Sequence, residues 1–123
     1  MNQVSRFLRR GEGRYYHWCP ACLEMHQLPD SWTFNGDLSK PTFQPSFKHT
    51  GLMRNKDANG KWIGEGRDAW LYDAEGKPIP EVCHYILTDG ILNFCGDCTH
   101  AFAGKSVPLP ELPIELQDSE VTP

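Results

Sequence analysis

Two cysteine pairs with two residues between them, Cys19-Pro20-Ala21-Cys22 and Cys95-Gly96-Asp97-Cys98, are the most chemically pointed feature of this 123-residue sequence. A CxxC turn is tight enough to aim two thiolates at one ion at about 2.3 Å, with backbone amides left over to bond the sulfurs. Pro20 stiffens the first turn and Gly96 permits the second. Two such pairs complete a tetrahedral set, so Cys19, Cys22, Cys95 and Cys98 are expected to bind Zn2+. The 72 residues between the pairs far exceed the roughly 15–20 of a compact zinc ribbon. The fold must therefore bring distant segments together. Histidines flank both pairs. His26, Cys83, His84 and His100 are expected as reserve ligands or as outer partners of the metal, with Cys83 equally readable as a small buried apolar residue. Four thiolates make a closed structural site, whereas three protein ligands and a water make a catalytic one. Asp97, between two ligand candidates, is placed to orient a histidine or activate a water. His49 stands apart and reads as a surface residue. A redox CxxC usually opens a helix in a βαβ setting, which this sequence lacks.

Composition agrees with a metal-supported fold. The hydrophobic fraction is 39%, and 11 Gly and 10 Pro are present, so much of the chain must be turn and loop around a thin core. A thin core gains most from an extra cross-link. Five cysteines, an odd number, suit metal ligation better than a disulfide framework and point to a reducing cytoplasm. No apolar run approaches the ~18 residues of a membrane span, and the start, MNQVSRFLRR, lacks the apolar stretch of a secretory signal. The net charge of −4 is uneven: residues 1–56 hold 8 Lys/Arg against 4 Asp/Glu, and residues 57–123 hold 4 against 12. The basic half could face an acidic partner. Arg6, Arg9, Arg10 and Arg14, interleaved with Phe7, Tyr15 and Tyr16, could grip phosphate and stack on bases. No HExxH, GxSxG, P-loop or dinucleotide fingerprint occurs.

The elements that must position these residues read as short strands. Asp89-Gly90, between two β-rich runs in residues 82–95, supplies the two positive-φ residues of a type I′ hairpin. Counting outward pairs Thr88 with Ile91, Leu87 with Leu92, Ile86 with Asn93 and Tyr85 with Phe94, and sets His84 across from Cys95. Alternation then puts Cys83, Tyr85, Leu87, Leu92 and Phe94 on a core face, and His84, Ile86, Asn93 and Cys95 on the other. Further turns are expected at Asn35-Gly36, Asn59-Gly60 and Glu75-Gly76, and a single helical turn within Arg67–Tyr72. Residues 40–47 are extended, with Pro41 and Pro45 excluding helix and Phe43 and Phe47 directed inward. From Val107 the prolines and acidic residues exclude further sheet and suggest a peripheral arm. The expected fold class is all-β or β-dominated α+β: a small antiparallel-sheet domain whose zinc site joins the Cys19–Cys22 turn to the 82–100 hairpin region. Its expected parts are a basic segment at 1–14, a single domain at 15–107 with an insertion at 48–80, and an acidic arm at 108–123.

The ordered series His17-Trp18-Cys19-Pro20-Ala21-Cys22, Trp32-Thr33-Phe34-Asn35-Gly36-Asp37 and Pro41-Thr42-Phe43-Gln44-Pro45-Ser46 resembles a family of small uncharacterised phage and prophage proteins. Cys83-His84, Asp89-Gly90, Asn93-Phe94, Asp97-Cys98-Thr99-His100, Ala103-Gly104 and Val107-Pro108-Leu109-Pro110 extend the resemblance over residues 15–110. It is a domain of unknown function, some of whose members carry an ammonia monooxygenase label. The resemblance implies a phage origin and a zinc site and no established activity. Neither a copper histidine set nor membrane spans occur here, so that label does not apply. Residues 48–80 are longer than the family pattern.

These readings lead to a phage-encoded, non-enzymatic, zinc-stabilised binding module. Its expected partner is another protein, and its place the bacterial host cytoplasm or the virion. One rival reading is a zinc-dependent hydrolase using His84 or His100 with Asp97. Another is a nucleic-acid-binding module.

Overall fold

The structure is a computed structural model that describes residues 2–118. Among the described residues, nine strands form two antiparallel sheets. The first has the order β1 (Asn2–Gln3), β2 (Leu8–Gly11), β3 (Arg14–Cys19), β4 (Glu24–Pro29). The second has the order β5 (Thr33–Phe34), β6 (Phe43–Leu52), β7 (Pro80–Thr88), β8 (Ile91–Phe94), β9 (Ser106–Pro108). Both are meanders, in which each strand pairs with its sequence neighbour. The described residues hold no α-helix. Two short 3₁₀ turns occur, Gly66–Ala69 and Ile114–Leu116.

The β7–β8 hairpin follows from its turn. Asp89 (φ 50°) and Gly90 (φ 75°) both take the left-handed conformation, and the ladder pairs Thr88, Leu87, Ile86 and Tyr85 with Ile91, Leu92, Asn93 and Phe94. That register turns Cys83, Tyr85, Leu87, Leu92 and Phe94 inward, and all five are buried. On the first sheet, Leu8, Cys19 and Leu28 join the same core cluster as Phe43 and Tyr85. Aromatic contacts stitch the sheets together: Tyr15 lies 5.4 Å from Phe43, and the His26 ring stacks on Phe47 at 4.4 Å.

Two elements depart from the sequence reading. The sheet continues to Pro108, because β9 is an edge strand and its proline removes a donor that the edge does not need. Beyond it, Leu109 and Leu112 are buried, and the Leu112 amide bonds the Arg6 carbonyl at 2.9 Å. Residues 48–80, expected as an insertion, begin within β6 and end at the start of β7, and between these strands residues 53–79 form an arm closed by isolated bridges such as Arg54 with Trp70 and Lys56 with Trp62. The helical turn expected within 67–72 is the 3₁₀ turn Gly66–Ala69.

Leu92 is fully buried and Ile114 is 80% exposed. Leu92→Ala should lower the unfolding free energy by about 2–5 kcal/mol, and Ile114→Ala by no more than about 0.5 kcal/mol, measured by urea denaturation.

Candidate active site and metal centre

The β3–β4 hairpin ends in the Cys19–Cys22 turn. There the Cys22 amide points at Cys19 Sγ (3.4 Å) and the Leu23 amide bonds the Cys19 carbonyl (2.8 Å). His26 lies on β4, and Cys83 faces inward from β7. Cys19, Cys22, His26 and Cys83 are all buried, and each offers one ligand atom within 4.8 Å of the others. This group could hold a metal ion. The outer shell fits that role. Tyr85 Oη lies 3.1 Å from His26 Nδ1 and bonds His17 Nε2, while His17 Nδ1 is 3.2 Å from the Trp18 carbonyl. If His26 Nδ1–H donates to Tyr85, the phenol donates to His17 and His17 Nδ1–H donates to Trp18. His26 Nε2 is then left as an acceptor; it is buried and makes no hydrogen bond, with Glu24 Oε1 3.8 Å away. Burial, with His26 nearby, pulls the His17 pKa down to about 4 and keeps its ring neutral. Hydrogen bonds from Cys22 and Cys83 favour the thiolate of Cys19, and the same contacts hold Cys22 and Cys83 in the thiol form. The 53–79 arm braces this turn. Lys56 Nζ donates to the Cys22 carbonyl at 2.8 Å, and Gly60 (φ +83°) passes so close to Leu23 that a Cβ would fall 2.5 Å from its carbonyl oxygen.

The opposite face of β7 carries a different arrangement. Cross-strand register sets Lys48 opposite His84, and Ser46, two residues before Lys48, shares that face. The β6–β7 ladder is irregular between Phe43 and Phe47. Ser46 therefore projects from a bulge, a device that re-aims a side chain. Its Oγ lies 3.2 Å from His84 Nε2, and His84 Nδ1 lies 3.1 Å and 3.2 Å from the two Asp97 oxygens. Asp97 is held beside β7 by a staple of its neighbours. The Cys95 amide bonds the His84 carbonyl (2.8 Å), Cys98 Sγ contacts the His84 amide (3.2 Å) and carbonyl (3.1 Å), and Thr99 bonds Val82 through its amide (3.0 Å) and hydroxyl (2.9 Å). Partial desolvation raises the Asp97 pKa, but bonds from His84 and from Lys48 (Nζ at 3.4 Å) outweigh it and hold the carboxyl below its usual range. An ionised carboxylate, an imidazole and a hydroxyl in this sequence of contacts have the geometry of a Ser-His-Asp triad.

The structure thus sorts the expected ligands into two groups. Cys19 and Cys22 meet Cys83 and His26. Cys95 lies instead with His84 and Asp97, and Cys98 engages the His84 backbone. The grouping differs from the four-thiolate set because the hairpin register turns Cys83 inward and Cys95 outward. His100 joins neither group. Its Nδ1 receives the Phe102 amide at 3.2 Å. Ser46 was not legible as a nucleophile, since it lies in a strand with no elbow motif and only the fold brings it to His84. The basic start is largely matched within the chain: Arg10 bonds Asp30, Arg9 pairs with Asp118 at 2.7 Å, and Arg14 bonds Gln27.

Over residues 2–95 the chain matches a family described as bacterial ubiquitination-like system serine protease (BubE). The chain belongs to the BubE family. No curated protein and no solved structure matches it. BubE membership corrects the reading as a phage-encoded binding module, because the family is described as a serine protease of a bacterial system and nothing in the match points to a phage. The stretch matched to BubE includes Ser46 and His84 and ends two residues before Asp97. No helix among the described residues is long and apolar enough to cross a membrane.

The two ligand groups make a direct prediction. Cys83→Ser and His26→Ala should each reduce the metal content of the purified protein well below one per chain, measured by elemental analysis. Cys98→Ser should leave it unchanged. Equal loss in Cys98→Ser would mean that the four-thiolate set is the true one.

Proposed function

We propose that this protein is a serine protease working in a bacterial ubiquitination-like system, with Ser46 as nucleophile, His84 as general base and Asp97 as the orienting carboxylate. The observation that carries this reading is the pair of contacts made by His84, Nε2 to Ser46 Oγ at 3.2 Å and Nδ1 to Asp97 at 3.1 Å, in a chain of the BubE family. His84 takes the Ser46 proton as Oγ attacks the scissile carbonyl, and passes it to the leaving amine as the tetrahedral intermediate collapses. Asp97 accepts Nδ1–H throughout, which fixes the tautomer and steadies the imidazolium. The 3.2 Å approach of Oγ is ordinary for a resting enzyme, whose catalytic bonds tighten once substrate is present. The partner is then a protein substrate that presents an extended segment to the outer face of the second sheet. Five free cysteines suit a reducing bacterial cytoplasm.

The metal at Cys19, Cys22, His26 and Cys83 is proposed to be Zn2+, the usual choice of a closed set of three thiolates and one imidazole. It supplies a cross-link and no chemistry of its own. Such a site contributes on the order of 10 kcal/mol to folding at neutral pH. A zinc-dependent hydrolase is disfavoured by the same contacts, since His84 and Asp97 are engaged with each other and with Ser46 rather than turned toward the buried cluster.

A fluorophosphonate probe tests the assignment. It should add once per chain, at Ser46 by peptide mapping. Ser46→Ala should abolish the adduct, and His84→Ala and Asp97→Asn should slow it by about 10³-fold or more. Labelling at another serine, or none in folded protein, would remove the triad.

A further inference from the structure

Away from the buried cluster, a thiol, an imidazole and a carboxylate converge on the outer face of β7. His84, Cys95 and Asp97 each offer a ligand atom within 4.8 Å of the other two. We propose that these three residues form a second, reversible site for a soft divalent cation such as Zn2+ or Cd2+, and that filling it shuts off Ser46. The binding stands on the cluster alone, while the inhibition rests on the triad reading above.

The chemistry of the donors favours such an ion. Thiolate and imidazole select zinc and cadmium over magnesium or calcium, and an anionic carboxylate adds charge neutralisation. A tetrahedral ion needs its donors at bond lengths of about 2.0–2.3 Å; with these three already within 4.8 Å of one another, one position is left for water or Ser46 Oγ. The site is open to solvent. The His84 side chain is 24% exposed and that of Asp97 46%, whereas the four residues of the structural cluster are buried. An ion can therefore come and go here without unfolding the protein. The register of the β7–β8 hairpin accounts for Cys95 being present at all. It places Cys95 on the outward face next to His84, and the bond from the Cys95 amide to the His84 carbonyl (2.8 Å) fixes the approach. Among the described residues, Lys48 is the cation paired with this group, its Nζ 3.4 Å from Asp97. It must swing aside when the ion enters, which keeps the site weaker than the buried one.

Inhibition follows whichever ring nitrogen binds. An ion on Nε2 removes the base that accepts the Ser46 proton. An ion between Nδ1 and Asp97 removes the hydrogen bond that holds the tautomer and turns the ring from Ser46. Cys95 touches no reacting atom, so the triad runs without it.

Holoprotein carrying its buried metal is titrated with Cd2+ while two signals are followed: the ultraviolet thiolate-to-cadmium absorbance and the rate of fluorophosphonate labelling. In the wild type, one added equivalent should raise the absorbance and slow labelling at least tenfold, with a common midpoint. Cys95→Ala should label at the wild-type rate without Cd2+, lose the added absorbance and shift the inhibition midpoint at least tenfold upward. Cys95→Ala retains every buried thiol, so the difference between the two proteins isolates Cys95. Equal inhibition of both proteins, or no Cys95-dependent absorbance, overturns the site. A Cys95-dependent absorbance in a protein that the probe never labels upholds the binding and overturns the inhibition together with the triad.

Discussion

Three thiols and an imidazole packed together at the junction of two small sheets constrain everything else in this protein. Cys19 and Cys22 come from the turn of the first sheet, His26 from its edge strand, and Cys83 from the centre of the second. Side-chain packing between sheets this short gives a modest core, and the proposed four-ligand ion at their junction would fix their relative position as no single apolar contact could. The hydrogen-bonded series His26–Tyr85–His17 extends that constraint across the core, because Tyr85 and Cys83 project from the same face of β7.

The outer face of β7 inherits the position. His84 follows Cys83 in sequence, and a strand turns successive side chains to opposite sides. The strand that anchors the buried cluster therefore also presents the candidate base to solvent. Around His84, the bulge in β6 supplies Ser46, and the stapled segment from Cys95 to Thr99 supplies Asp97. Structure and chemistry are separated by the thickness of one sheet yet share two adjacent residues. The proposed exchangeable site at Cys95 lies on the chemical side, where solvent reaches it.

Much of this arrangement was legible in the sequence, and the reason differs from part to part. Asp89-Gly90 dictated a two-residue turn, and counting from it gave the register, the inward side chains and the separation of Cys83 from His84. Ligand chemistry led to the expectation that the Cys19–Cys22 turn meets the 82–100 region, where Cys83, expected only as a reserve, is the residue that lies against it. The choice of partners did not follow, because Cys83 and Cys95 differ only in which way a strand turns them, and the CxxC spacing pointed to Cys95 and Cys98 where the structure gathers Cys83 and His26 with Cys19 and Cys22. Asp97 was legible as a group that could orient a histidine. Ser46 was not, because its neighbours in sequence form an extended proline-flanked run and its role depends on a bulge that no local signal announces. Membership in the serine protease family gave that geometry its meaning.

An X-ray anomalous difference map measured at the zinc edge tests the central constraint most directly. The account predicts one strong peak per chain at about 2.0–2.3 Å from the sulfurs of Cys19, Cys22 and Cys83 and a ring nitrogen of His26. A peak bound by Cys95 and Cys98 in place of Cys83 and His26, or no peak at all in folded protein, would contradict it.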